Sequence, residues 1–343
     1  MTSAARPGAS RPAVSASAGP LRRVPVWVWR ALMAMTHRLE LARFNSEPVA
    51  GVRHIRDIDF AGDGARQHRL DVIVPDPASG SAGEEPLPVY IYFHGGGWTS
   101  GDKAALTKYC AIQAAAGMVV VNANYRMATR FRMAHMVEDA NAVLAWVAEH
   151  IAEHGGDPSR LVLGGDSAGG QLSALIAAAV FDAELAGHYG IEPAVPPGSV
   201  RGLVQHCSAV DLSVVFERGF VLSRSFVRML LPKRVPEQEP LPLAVAARHL
   251  SPIEWLDSGF PPVLVTTSER DYFYRANLNF VAALRRRGIP VETLIYDRAR
   301  ANAMHTWQQN YRYPESQEVY RRLQGFVRSV AGTRRPVHHA PGV

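Results

Sequence analysis

Short apolar runs alternate along this chain with longer segments whose apolar residues recur every three or four positions. Val89-Tyr-Ile-Tyr-Phe93 is apolar or aromatic throughout and ends at His94, the pattern of a strand covered on both faces. Residues 52–60 and 68–74 predict two earlier strands, the second with partial alternation. A loop rich in Pro, Gly, Ser and Glu follows from Pro75 to Pro88. Further strands are predicted at 118–122, 160–163, 200–206, 263–267 and 291–296. Helices are predicted at 102–116, 134–154, 167–181, 277–287 and 316–329. In the second of these, Val137, Ala140, Leu144, Val147 and Ile151 form one apolar face, and Gly155-Gly156 stops it. The helix from Ser167 carries no charge until Asp182, which predicts burial.

Strands alternating with helices imply an α/β fold with a mostly parallel central sheet flanked by helices. Residues 211–250 break the alternation and read as a helical insertion. Residues 1–23, rich in Ala, Ser, Pro and Gly, are expected to be disordered, as is the tail at 334–343. An amphipathic helix is expected within 24–50, from about Val26 to Arg43. It either packs on the body as part of a cap or touches a membrane surface. The apolar stretch at 24–35 contains Arg30 and is too short to span a bilayer. It lacks the small-residue cleavage site of a signal peptide.

The 343 residues suffice for one large domain with a cap, spanning about 51–333. With 47% hydrophobic and 20% charged residues, the composition is that of a soluble globular protein. Net charge is +6, yet Lys and Arg are spread along the chain without a dense basic run interleaved with aromatics, so no nucleic acid partner is expected. Cys110 and Cys207 are too few for a disulfide framework or a metal site. They are expected to be buried thiols, which fits a cytoplasmic protein.

Two segments carry chemistry. Gly165-Asp-Ser-Ala-Gly169 has the form G-x-S-x-G between a predicted strand and a predicted helix. There the glycines allow a tight turn that holds Ser167 in a strained conformation with its hydroxyl above the sheet. The helix start also offers N–H groups to an anion. His94-Gly-Gly-Gly-Trp98 follows a buried strand, and its bare N–H groups, with that of Ala168, suit an oxyanion hole. Each such donor lowers a barrier by roughly 3 kcal/mol in comparable sites. No dinucleotide or phosphate loop is present, and neither a cofactor nor a metal is expected. A serine nucleophile needs a base, and the base an orienting acid. Asp271 and His305 each follow a predicted strand, and Ser167, Asp271, His305 is the chain order of α/β-hydrolases. Glu269 and Asp297 are rival acids, and His206 is a rival base that precedes the acid.

These residues resemble the hormone-sensitive-lipase-like esterases, a branch of the α/β-hydrolases, over about residues 65–330. The pair His94-Gly-Gly-Gly-Trp98 and Gly165-Asp-Ser-Ala-Gly-Gly170 carries the resemblance. Asp157-Pro-Ser-Arg160, Asn124-Tyr-Arg126 and Gly288 support it. The resemblance implies a triad of Ser167, Asp271 and His305. It implies an oxyanion hole of Gly95, Gly96, Gly97 and Ala168, in which Gly96, Gly97 and Ala168 donate and Gly95 shapes the turn. His94 would brace the loop, and Asp166 would stand beside the nucleophile. It also implies a cap made of the N-terminal segment and an insertion at about 181–250. The chain departs from the family at Tyr125-Arg-Met-Ala-Thr-Arg130. It departs again at 298–304, whose two arginines are expected near the site entrance.

The expected function is serine hydrolysis of carboxylic esters with short to medium acyl chains. The same machinery would serve an acetyl hydrolase, an amidase or an acyltransferase. A non-catalytic ligand receptor would have no use for the triad. Members of the family often form homodimers, which is carried here as an expectation, alongside membrane-surface contact through residues 24–43.

Overall fold

The computed structural model describes residues 23–76, 85–232 and 241–332. The expectations for the N-terminal stretch up to residue 22, for most of the Pro75–Pro88 loop and for the 334–343 tail lie outside them. The strands are β1 (Val52–Asp59), β2 (Arg69–Pro75), β3 (Leu87–Phe93), β4 (Val119–Ala123), β5 (Gly156–Asp166), β6 (Val200–His206), β7 (Val263–Ser268) and β8 (Val291–Tyr296). They form one sheet in the order β1-β2-β4-β3-β5-β6-β7-β8. Strands β3 to β8 are parallel, and β2 runs antiparallel to both β1 and β4. The helices are α1 (Val26–Asn45), α2 (Thr107–Ala115), α3 (Met133–His150), α4 (Ser167–Phe181), α5 (Ala183–Tyr189), α6 (Ser225–Leu230), α7 (Leu243–Ala246), α8 (Tyr274–Arg286) and α9 (Pro314–Ala331).

The pleat of β3 explains why its whole sequence is apolar. Val89, Ile91 and Phe93 enter a core shared with α3, α4 and α8, while Tyr90 and Tyr92 enter a second core with α2 and α9. Helix α4 is buried along nearly its whole length, as its lack of charge requires. Three helix ends differ from the sequence reading for local reasons. Helix α3 ends at His150 and continues as a 3-10 turn to Gly155, which takes the left-handed conformation at φ +78. The 102–116 segment opens with a 3-10 turn, the Ala104 N–H of which is held by the Asp102 side chain. Helix α8 begins at Tyr274, before the expected 277, because Asp271 takes the N–H groups of Phe273 and Tyr274.

The expected insertion at 181–250 needs correction. Its middle, Val200–His206, is a central strand hydrogen-bonded to β5 and β7. Before that strand lie α5 and a 3-10 turn, and after it the chain runs as 3-10 turns together with α6 and α7. Helix α1 lies against this segment and the body. Arg23 donates to the carbonyls of Val215 and Glu217, and Val24 bridges to Leu222. At the other end, Asn45 donates to the carbonyls of Ala104 and Ala105 and accepts from the Lys108 N–H. The helix is not amphipathic as expected. Trp29 packs inward on Phe226 at 6.3 Å, while Trp27 and Met35 face outward.

Candidate active site

Ser167 stands where β5 turns into α4, at φ +52. A non-glycine residue there is strained by about 1–3 kcal/mol, so the turn is held by its surroundings. The flanking glycines permit it. A Cβ at Gly165 would strike the backbone of Gly169, and one at Gly169 would fall on the carbonyl oxygens of Phe93 and His94. The turn therefore presses against the end of β3, where the second glycine-rich segment begins.

The three residues separated by sequence meet here. His305 Nε2 lies 3.0 Å from Ser167 Oγ, and His305 Nδ1 lies 2.7 Å from Asp271 Oδ1. Asp271 is fixed by the Thr267 hydroxyl (2.9 Å) on one oxygen and the Phe273 N–H (2.9 Å) on the other. This anchoring sets the carboxylate to accept from Nδ1–H and leaves Nε2 to accept from the serine. The buried Cys207 thiol also lies against Asp271, and burial holds it protonated by raising its pKa well above the usual value. The rivals are placed elsewhere. Glu269 accepts from the Arg298 N–H at 3.0 Å. His206 is fully buried between the Tyr109 hydroxyl (2.9 Å) and Thr266 (2.7 Å), and burial lowers its pKa to about 3.

The 94–103 segment bends over the nucleophile. Gly96 and Gly97 have φ +127 and +59, conformations that favour glycine. Among the described residues their N–H groups and that of Ala168 meet no acceptor outside the helix, which leaves them for an anion beside Ser167. Gly95 is different and corrects its assignment to the oxyanion hole. Its N–H is donated to Asp166 Oδ1 at 3.1 Å, so Gly95 ties the loop to the nucleophile turn. Asp166 also accepts from the Tyr92 hydroxyl (2.6 Å) and from Gln309 (2.9 Å). Burial raises its pKa, and the Tyr92 hydrogen bond opposes that shift. His94 braces the loop. Its ring stacks on Tyr125 at 4.6 Å, and the Tyr125 hydroxyl donates to the His94 carbonyl at 2.7 Å. Trp98, at φ +63, donates to Gln171 Oε1 at 2.5 Å, joining the loop to α4.

A cavity of about 250 Å³ opens over Ser167 and His305. Sequence reasoning missed three of its wall residues. Tyr272 lies with its ring 3.9 Å from that of His305, and its hydroxyl comes against Ser167. Its position next to Asp271 was the available signal. Trp29 and Met33 reach the cavity from α1, with the Trp29 indole against Gly97. No local pattern links α1 to residues so distant. The two arginines of 298–304 do not line the cavity. Arg298 bonds to Glu269, and Arg300 lies over the Tyr296 ring at 5.9 Å.

A family model described as alpha/beta hydrolase fold matches residues 90–307. Carboxylesterase NlhH of Mycobacterium tuberculosis is 33% identical over 215 residues, covering 60% of this chain and 63% of that relative. The chain thus matches less than two thirds of that relative's length. Carboxylic ester hydrolase LipN of the same species is 29% identical over 257 residues, covering 71% of this chain and 67% of the relative. Among solved structures, an inhibited esterase B from Lactobacillus rhamnosis has the same fold. It superposes with a TM-score of 0.77 at 22% identity, covering 88% of this chain and 95% of that one. The sheet order, the Ser167 turn and the matched family model agree, and the chain belongs to the hormone-sensitive-lipase-like carboxylesterase family of the α/β-hydrolase fold.

Proposed function

We propose that this chain hydrolyses carboxylic esters of short to medium acyl chain through an acyl-enzyme on Ser167. The observation that carries the reading is the relay from Asp271 through His305 to Ser167, at 2.7 and 3.0 Å, beneath an open cavity. Ser167 Oγ attacks the ester carbonyl carbon as His305 Nε2 takes its proton. The oxyanion forms among the N–H groups of Gly96, Gly97 and Ala168, at the N-terminus of α4. His305 then returns the proton to the departing alkoxide, and the alcohol leaves. Water, deprotonated by the same nitrogen, attacks the acyl-serine, and the acid departs. Asp271 keeps the imidazole oriented and stabilises its cation in both halves.

The acyl preference rests on size. The cavity of about 250 Å³ is below the roughly 300–1,000 Å³ usual for drug-sized ligands, which favours a small ester. The names of two matched relatives, a carboxylesterase and a carboxylic ester hydrolase, support the bond class. Turnover of p-nitrophenyl acetate, butyrate, octanoate and palmitate tests the reading, with Ser167→Ala as control. The expected result is turnover that is highest on the shorter chains, falls sharply at palmitate and vanishes in the variant. Absence of turnover on every ester overturns it.

A further inference from the structure

The outer face of α1 is apolar without a cover among the described residues. Trp27 is 74% exposed, Met35 75% and Leu32 46%. Trp27, Ala31 and Met35 follow one another at four-residue spacing, so they share a face, with Arg30 exposed at its flank. The opposite face carries Trp29 and Met33 into the catalytic cavity. A helix apolar on both faces is ordinarily enclosed on both. The charge of the chain points to what encloses this one. Cations are spread along the sequence, but their excess is not. The first 39 residues hold six arginines and no Asp or Glu, which equals the whole net charge of +6. The remaining 304 residues are therefore balanced.

We infer that α1 docks this chain on an anionic lipid surface, toward which the positive charge of the first 39 residues draws it. The outer face of α1 enters the headgroup boundary beside the cavity mouth. Arginines draw the segment to anionic headgroups, and Trp27, Leu32 and Met35 gain by leaving water. A nucleic acid would satisfy the arginines but offer nothing to these side chains. The contact lies on the surface, since no single described helix is long and apolar enough to cross a membrane. Because Trp29 and Met33 belong to the same helix, docking sets the mouth at the lipid boundary, where an acyl chain can enter without crossing water.

Co-sedimentation of the full chain with vesicles tests this. The vesicles are phosphatidylcholine alone, or equal parts phosphatidylcholine and phosphatidylglycerol. The expected result is pelleting with the anionic vesicles only, weakened by high salt. Trp27→Ser with Met35→Ser should reduce binding roughly tenfold. So should replacing Arg6, Arg11 and Arg22 by Gln. Turnover of p-nitrophenyl butyrate should stay unchanged in the Trp27 and Met35 variant, because neither residue lines the cavity. Ser167→Ala should bind vesicles like the natural chain, so docking is read independently of ester hydrolysis. A chain that stays in the supernatant with both vesicles, or pellets equally after the Trp27 and Met35 changes, overturns the inference. So does a dimer in light scattering that those changes convert to a monomer, without vesicle binding, since a second copy then covers the face.

Discussion

Tyr272 follows the triad acid directly, and its ring covers one face of the imidazole that acid orients. An aromatic contact of this kind contributes about 0.5–1.5 kcal/mol, which sets its effect on a rate at roughly tenfold at most. Tyr272→Ala should therefore lower kcat by up to about tenfold. Tyr272→Phe keeps the ring and should stay within about threefold of the natural chain. Equal losses in the two variants, read from kcat on p-nitrophenyl butyrate, would contradict a stacking role. The grouping of Ser167, Asp271 and His305 was legible at this scale because each follows a strand, in the connections at the carboxyl edge of the sheet. The partners of those residues were not. That the Gly95 N–H turns to Asp166 depends on a contact across 71 positions, and no local pattern encodes it. His206 was a rival because it ends β6; its place before the acid in the chain and its complete burial set it apart from His305.

At the scale of elements, the 94–103 loop is fixed from behind by a buried cation. Lys103 Nζ lies 2.6 Å from Asp71 and 2.7 Å from Asp57, with its own side chain and that of Asp71 nearly inaccessible. Asn122 and Asn124 hold the Lys103 carbonyl and N–H at 2.8 and 2.7 Å. Removing one member of a buried pair strands the other charge. Lys103→Met should thus cost about 3–5 kcal/mol of stability. Urea denaturation measures this, and adding Asp71→Asn should recover part of the loss. A loss under about 1 kcal/mol would mean that the pair is solvated like a surface bridge. The strands β6 and β8 follow the sequence reading residue for residue: each is a short run rich in β-branched and apolar residues that pairs in parallel with β7. The insertion after β6 did not yield to the same reading. Its 3-10 turns and short helices carry no sustained period, and their packing is decided by α1 and α4.

For the whole molecule, the buried His206 ties stability to pH. Its pKa is lowered to about 3 in the fold by burial, against 6.5 when unfolded. Between these values the unfolded chain binds the extra proton, so stability rises with pH across that window. The contribution is complete above pH 6.5 and is lost progressively as pH falls toward 3. It amounts to about 2 kcal/mol lost by pH 5. Denaturation at pH 7 and pH 5 should show this drop in the natural chain and a smaller one in His206→Asn. An identical drop in both would assign the acid sensitivity to other groups. The global architecture was readable because alternating strands and helices admit few parallel-sheet solutions. The outer face of α1 was not, since its first ten residues are apolar on opposite faces and give no sequence sign of which side is turned away from the body.

The central claim is that the relay activates Ser167 as a nucleophile. The most direct measurement is labelling with a fluorophosphonate probe, followed by mass spectrometry of the tryptic peptide 161–201. The account predicts a single adduct on Ser167, strongly slowed in His305→Ala and absent after denaturation. A chain that takes no label, or takes it on another residue, would contradict it.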